Sequence, residues 1–338
     1  MLGIGQKEAS MSKIEVTWLS QADIIAMGIG TAEVIDLIEK GLAEHGRGRV
    51  ENPPKPGIHA TQNSFIHAMP AYYKDLNIGG MKWVSGYSDN RDRGFPQIIG
   101  ILILNDMDTG APLCVMDATW ITAVRTAAVS AITAKYCAKK DACVLGIVGA
   151  GTQGRYNLLA LDQVVAGLEK VKVFDIKPEA AERYRVEMVP KTTAEVIVCK
   201  DVESVARGSD ILITATQRLP EPLIRNEWFD KGCLGMGLEA SRAWHGSAIL
   251  NADKFVTDDW DQCKYFHAQG AFPEGLPTRY TELGTIVTGQ NKGRENDEER
   301  ILAINIGLAL EDIILADRIY RQAKEREPYP KMTLFEWQ

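Results

Sequence analysis

CVLGIVGAGTQG, residues 143–154, decides the fold. An apolar run of strand length leads into Gly149-x-Gly151-x-x-Gly154, and a helix-compatible segment, 155–165, follows. A second apolar run, VKVFD, ends at Asp175, about 20 residues beyond the last glycine, the spacing of a dinucleotide-binding unit. Each residue type has a physical task there. Gly149 permits the tight turn, Gly151 lets the backbone approach a pyrophosphate, and Gly154 lets the helix pack close to the strand. The helix start at Thr152 and Gln153 presents unpaired N–H groups and positive potential to phosphate oxygens. A carboxylate at Asp175 accepts both ribose hydroxyls and repels a 2′-phosphate. That favours NAD over NADP, although Lys177 pulls the other way. The alternative is a glycine-rich turn of the same fold that binds nothing.

Working outward, strands and helices alternate. Segments 143–148, 171–174, 196–199, 211–214, 233–236 and 255–257 read as strands. Segments around 153–166, 178–187 and 201–207 read as helices. Such alternation means βαβ units, hence an α/β fold with a Rossmann-type doubly wound parallel sheet. Thr214 and Thr216 end one of these strands, where open α/β sheets bind ligands, so both are cofactor candidates.

The first third reads differently. Residues 20–44 read as one amphipathic helix, with Val34, Leu37 and Ile38 on its apolar face. Residues 49–57 are proline-rich and must be extended or turning. Short strands follow at 64–69, 80–85, 96–105 and 112–117, with the turn NDMDTG (105–110) making a hairpin of the last two. They imply a mostly antiparallel α+β domain. An alanine-rich helix spans 119–138, and a long amphipathic helix, 303–324, closes the chain by packing back onto that first sheet. The expected division is 11–124 plus 309–338 for substrate binding and dimerisation, and 125–308 for the dinucleotide.

The 338 residues carry 38 Lys and Arg against 45 Asp and Glu, a net charge of −7. Nothing basic is left over for phosphates, so a nucleic-acid or anionic-membrane partner is not expected. No apolar run approaches the length of a transmembrane helix. The N-terminus does not read as a signal peptide, and Met11 is an alternative start that would make 1–10 a leader. The six cysteines form no CxxC pair and do not cluster with histidine, which points to reduced thiols in a cytoplasmic protein and to no zinc site.

Three residues stand out for chemistry. Lys82 sits inside an apolar strand, GGMKWVSGY. Arg125 sits mid-helix among Ala, Val and Thr, where a buried guanidinium needs an anionic partner, either an internal acid or a substrate carboxylate. Glu239 follows the strand GCLGMG in a loop where a doubly wound fold carries reactive groups. His45, His245 and His267 have no metal or triad spacing and read as surface or core histidines. GxSxG, P-loop and HExxH motifs are absent from the sequence.

In order, MPAYY (69–73), MKWVSGY (81–87), GILILNDMDTGAPLCVMDATWITAVRTAAVSA (100–131), GIVGAGTQG (146–154), SDILITAT (209–216), GMGLEA (235–240), TELGTIVTGQNKGR (281–294) and IGLALEDI (306–313) resemble the ornithine cyclodeaminase/mu-crystallin family. The resemblance covers roughly 20–325. It implies a homodimer whose first domain, completed by the C-terminal helix, binds substrate, and whose second binds NAD(P). It implies that Lys82 and Arg125 hold the α-carboxylate of a small amino or imino acid. Glu239 falls where the family has a catalytic aspartate. Lys55 replaces a second carboxylate-binding arginine, and His67 stands where ornithine cyclodeaminases have a glutamate. The expected function is therefore NAD-dependent amino-acid/imino-acid oxidation and reduction, with Glu239 and Lys82 catalytic and Lys55, His67, Lys82 and Arg125 on the substrate. Ornithine cyclodeamination and ligand binding of the mu-crystallin kind are the alternatives. His67, Tyr72, Tyr73 and Trp244 are candidates for the substrate side-chain pocket.

Overall fold

The computed structural model describes residues 13–336 apart from Gln62, Arg218 and Glu327, with the side chain of Arg91 also left aside. Met11 and the segment before it lie outside the described residues. In chain order the first part comprises β1 (Lys13–Leu19), α1 (Gln21–Ala26), α2 (Thr31–Gly46), β2 (Val50–Glu51), β3 (Gly57–Ile58), β4 (Ser64–Tyr73), β5 (Ile78–Tyr87), β6 (Ile98–Asp106), β7 (Pro112–Asp117) and α3 (Thr119–Cys137). The second comprises β8 (Val144–Val148), α4 (Thr152–Leu161), β9 (Lys170–Phe174), α5 (Pro178–Met188), β10 (Glu195–Val198), α6 (Val202–Ala206), β11 (Ile211–Thr214), β12 (Leu234–Gly237), α7 (Gly246–Leu250), β13 (Lys254–Thr257), α8 (Trp260–Ala268), β14 (Thr281–Glu282), α9 (Leu283–Val287) and β15 (Ile301–Ile304). The chain returns with α10 (Ala309–Glu325) and β16 (Lys331–Glu336).

Two sheets result. The first runs β16-β1-β7-β6-β5-β4-β2, with β3 also on β4, and is antiparallel except for the parallel β1–β7 pair. Its inner face, with Met69, Val84, Leu102 and Leu104 buried, is covered by α10, on which α2 packs in turn. The second runs β10-β9-β8-β11-β12-β15-β13-β14 and is parallel throughout, with the chain reversing direction of travel between β8 and β11. That reversal opens a crevice at the strands' C-terminal ends, beside the glycine turn.

The structure corrects three readings. The helix expected over 20–44 is two helices, because Gly28 takes φ +69° and Gly30 caps a new start. The helix expected over 303–324 begins only at Ala309. Residues Ile301–Ile304 are instead a fully buried strand inserted between β12 and β13, and its apolar run is one that a buried helix would also show. Strand β1 is an element the sequence reading lacks. Residues 13–19 alternate Lys, Ile, Glu, Val, Thr, Trp, Leu, a period-2 pattern that could have revealed it.

Candidate active site

The glycine turn joins β8 to α4. Gly149 takes φ +110°, and a Cβ there would lie 2.4 Å from the Ala215 carbonyl oxygen. A Cβ on Gly154 would lie 2.4 Å from the Gly149 oxygen. Both positions therefore require glycine. Gly151 caps α4 without a side-chain bond, which leaves the first-turn N–H groups of Thr152, Gln153 and Gly154 for an anion. Gln153 turns its side-chain oxygen to Asn157 Nδ2 at 3.2 Å. The Asp175 carboxylate, just past β9, accepts the Ala150 N–H at 2.9 Å and the Lys177 N–H at 3.0 Å. It is thus held over the turn with lone pairs to spare. Thr216 Oγ1, just past β11, is buried without a hydrogen-bond partner among the described residues, which marks a place for a ligand. These features fit a dinucleotide.

Across the crevice lies a buried ionic cluster. Lys82 of β5 is 0% exposed, with Nζ 2.6 Å from Asp312 and 3.4 Å from the Thr122 hydroxyl. Arg125 of α3 is 7% exposed. It donates from Nη1 to Glu311 at 2.6 Å, and its Nε lies 3.2 Å from Asp312, out of line for a hydrogen bond. Glu311 and Asp312 come from the first turn of α10, so the return of the C-terminal helix supplies the anions that two isolated cations required. Lys55, on the extended segment before β3, donates from Nζ to the carbonyls of Ile306 and Gly307. The N–H groups of those residues are held by Asp258, at the end of β13. Gly307 lies so close that a Cβ there would meet Arg125 Nη1 at 2.6 Å.

Burial sets the charges. It pushes Lys82 down to about 7, with Asp312 opposing, and Lys55 down to about 8, with Arg125 adding to the effect. It pushes Glu311 up to about 7 against the pull of Arg125. Arg125 alone keeps a firm charge: burial opposes it, but Asp312 and Glu311 together hold its pKa above the ordinary value.

Glu239 stands just past β12. It accepts the Thr214 hydroxyl at 2.6 Å and the Thr216 N–H at 3.2 Å, while Trp244 Nε1 donates to the same Thr214 oxygen at 2.9 Å. Burial pushes Glu239 up to about 8 in spite of these bonds. Thr214 thus orients Glu239, and Thr216 contributes its backbone there. The charge of Arg242 acts on both Glu239 and His67, and His67 in turn feels Lys55 and Lys82. Gln217 donates to Gln97 at 2.6 Å, tying the loop after β11 to the residue that leads into β6 of the first sheet.

Of the residues singled out in the sequence, Lys82 and Arg125 gather on Glu311 and Asp312, Lys55 binds the Ile306 and Gly307 carbonyls beside Arg125, His67 stands on the Lys82 face of the sheet, Glu239 lies against Thr214 and Thr216, and Gly149, Gly151, Gly154 and Asp175 gather at the turn. Tyr72 and Tyr73 do not join them. Tyr72 bonds to Asn77 at the far end of β4, and Tyr73 is in the core. Trp244 lies beneath Glu239 rather than beside the lysines. Asp258, Glu311, Asp312 and Arg242 were missed. For Glu311 and Asp312 a signal existed: adjacent acids between Leu310 and Ile313 fall on the stripe an amphipathic helix buries.

An open parallel sheet with a dinucleotide cradle and a buried carboxyl at its strand ends, in a chain that also buries a lysine and an arginine on paired acids, defines a dinucleotide-dependent oxidoreductase. Residues 15–327 match the model of the ornithine cyclodeaminase/mu-crystallin family. The nodulation efficiency protein of Rhizobium meliloti is 36% identical over 311 residues, 92% of this chain and 96% of that protein. The structure of Thermococcus litoralis Delta(1)-pyrroline-2-carboxylate reductase with NADH and L-proline superimposes with a TM-score of 0.84 at 33% identity, covering 92% of this chain and 98% of that one. An archaeal alanine dehydrogenase dimer with bound NAD gives 0.84 at 29% identity, covering 95% and 100%. The chain belongs to the ornithine cyclodeaminase/mu-crystallin family. Among its described residues no helix is long and apolar enough to cross a membrane, and all six cysteines are free.

Proposed function

We propose that this chain is a cytoplasmic, homodimeric, NAD-dependent oxidoreductase acting at the nitrogen-bearing α-carbon of a small amino or imino acid. The observation that carries the reading is the burial of Lys82 and Arg125 side by side on the acids of α10, in a chain whose dinucleotide sheet carries a buried carboxyl, Glu239, at its strand ends. The cations take the substrate carboxylate, which orients the α-hydrogen and lowers the entropic barrier. Thr152, Gln153 and Gly154 would hold the pyrophosphate, Asp175 the ribose, and Thr216 a further polar group. When bound, the dinucleotide supplies the hydride acceptor or donor.

Glu239 holds the proton. In oxidation, hydride leaves the α-carbon and a proton leaves its nitrogen to Glu239, giving an imine. Water then adds and ammonia departs. In reduction the protonated Glu239 returns the proton to nitrogen. A carboxyl near pKa 8 serves both directions at neutral pH.

The side-chain wall favours this reading over ornithine cyclodeamination. His67 stacks on Phe65 with centroids 4.4 Å apart and meets Phe266 edge-on, and burial with nearby cations pushes it down to about 3. A neutral, aromatic and cation-flanked wall does not suit a distal ammonium group. A dimer is supported by the outer face of the first sheet, where Trp18, Trp83, Ile99 and Ile101 are exposed.

The test incubates the chain with L-ornithine and far less NAD than substrate. Ammonia should not exceed the NAD added, while a panel of small amino acids with NAD, or imino acids with NADH, should show net redox change. Ammonia in large excess over NAD would replace this reading with cyclodeamination. No net redox change with any member of the panel would refute it.

A further inference from the structure

Backbone strain in this chain gathers beside Glu239. Among the described residues, three other than glycine take a positive φ: Asn77 at +49°, Ala240 at +58° and Phe272 at +53°. Asn77 sits in the turn between β4 and β5, where asparagine is an ordinary choice. Alanine and phenylalanine have no polar side chain to compensate, and their Cβ crowds the backbone in that region. Ala240 and Phe272 are far apart in sequence, yet one hydrogen bond links them: Ser241 Oγ accepts the Phe272 N–H at 2.8 Å. Such outliers persist only where the surrounding structure over-determines them, and they concentrate at functional sites.

The surroundings here do so. Ala240 follows Glu239 directly and turns the chain back over the end of β12. Its carbonyl passes so close to Gly237 that a Cβ there would lie 2.9 Å from the oxygen. Ser241 is buried, and its carbonyl accepts the Trp244 N–H at 3.2 Å. The Ala243 carbonyl accepts the N–H groups of Leu223 and Ile224, each at 2.8 Å. Phe272 is buried too and meets Phe255 of β13 edge-on, with centroids 6.4 Å apart. The reversal brings Trp244 back to the strand ends, where Nε1 donates to the Thr214 hydroxyl that itself donates to Glu239. A relaxed backbone at residue 240 would send the chain off in another direction. Glu239 and Trp244 would then no longer meet on one threonine.

We propose that Ala240, Ser241 and Phe272 form a strained brace that fixes Glu239 against Thr214 and Thr216, giving up folding stability for alignment of the carboxyl. All three are positioning residues. The proposal rests on the reading that Glu239 holds the reaction's proton.

The experiment uses Ala240→Gly and Ser241→Ala. Glycine takes a positive φ without steric cost, so Ala240→Gly should raise the thermal midpoint by about 2 °C. Ser241→Ala cuts the link between the strained residues and should lower it by about as much. Both leave Glu239 less firmly held. In each, kcat for the best substrate of the amino-acid panel should fall about tenfold, with the NADH dissociation constant within about twofold of wild type. Water reaches the loosened carboxyl, so the pH limb of oxidation should move to lower pH. A change in stability alone would not move it. A further readout needs no turnover. Wild type loses thermal midpoint between pH 5 and pH 9 as the buried Glu239 ionises, and that loss should be smaller in both variants. An Ala240→Gly protein with wild-type kcat and an unmoved limb overturns the proposal, as does one no more stable than wild type. Active variants that keep the wild-type limb and the full alkaline loss refute this inference and leave the oxidoreductase reading intact. A Glu239→Gln protein of wild-type activity, with the smaller alkaline loss in both brace variants, refutes the proton-holding reading and leaves the brace on Glu239 standing.

Discussion

Glu239→Gln should make the protein less active and more stable at alkaline pH. In the folded chain burial lifts this carboxyl from 4.5 to about 8. Unfolding returns it to water and to its ordinary value, so between those two pH values the unfolded chain is the one that releases the proton. Stability from this group is fully present below about pH 4.5, falls by about 1.4 kcal/mol per pH unit as pH rises, and levels off above about pH 8. The shift corresponds to about 5 kcal/mol of penalty at pH 9. Glutamine carries no charge and escapes it. It cannot, however, accept both the Thr214 hydroxyl and the Thr216 N–H as the carboxylate does, and one lost bond costs about 1 kcal/mol. Urea denaturation at pH 9 should therefore show the variant more stable by about 4 kcal/mol, with the gap closing by pH 5. Its kcat/KM should fall about 10²- to 10⁴-fold, the range for a lost general acid–base group. The wild-type rise of amino-acid oxidation with pH through about 8 should vanish. A variant within tenfold of wild type that keeps this pH limb would refute the proton-holding role. Equal stability at pH 9 would refute the burial argument.

Asp312→Asn should destabilise the protein by about 3–5 kcal/mol in chemical denaturation, because Lys82 and Arg125 are left buried beside a neutral amide. Wild-type stability would show that these cations do not depend on Asp312. Gly154→Ala places a methyl 2.4 Å from the Gly149 oxygen and should weaken NADH binding more than about tenfold in a fluorescence titration. Unchanged affinity would remove the turn from the cofactor site. Asp175→Ala should lower the ratio of NADH to NADPH affinity about tenfold, since a group that accepts from ribose and repels a 2′-phosphate is gone. An unchanged ratio would leave cofactor choice to other groups.

Legibility in the sequence followed the range of the interactions. The turn at 149–154 was readable because Gly154 answers to the Gly149 oxygen a few residues away and Gly149 to its own positive φ, both local constraints. Arg125 was readable as a buried charge because its helical neighbours are apolar. The identity of its partner was not, because Glu311 lies 186 positions along the chain. Strand β15 was misread for a related reason: Ile301–Ile304 is apolar on both faces, and its place between β12 and β13 is a matter of topology rather than period.

The family resemblance carried Lys55, His67 and Glu239 to their positions, but not their states. Nothing local marks Glu239 as a carboxyl held near neutrality. That follows from its burial in the folded chain, which raises its pKa against the bonds from Thr214 and Thr216.

The sequence by itself determined the alternation of strands and helices, the dinucleotide turn and its acid, and the presence of charged residues where apolar ones were due. These are properties of periodicity and of backbone sterics, which act over one or two turns of chain. Tertiary structure decided which acid neutralises which base, and which lysines burial pushes down toward neutrality. Those depend on burial and on Coulomb interactions that act through space, between β5, α3 and α10, and become strong only once folding has removed the water between them.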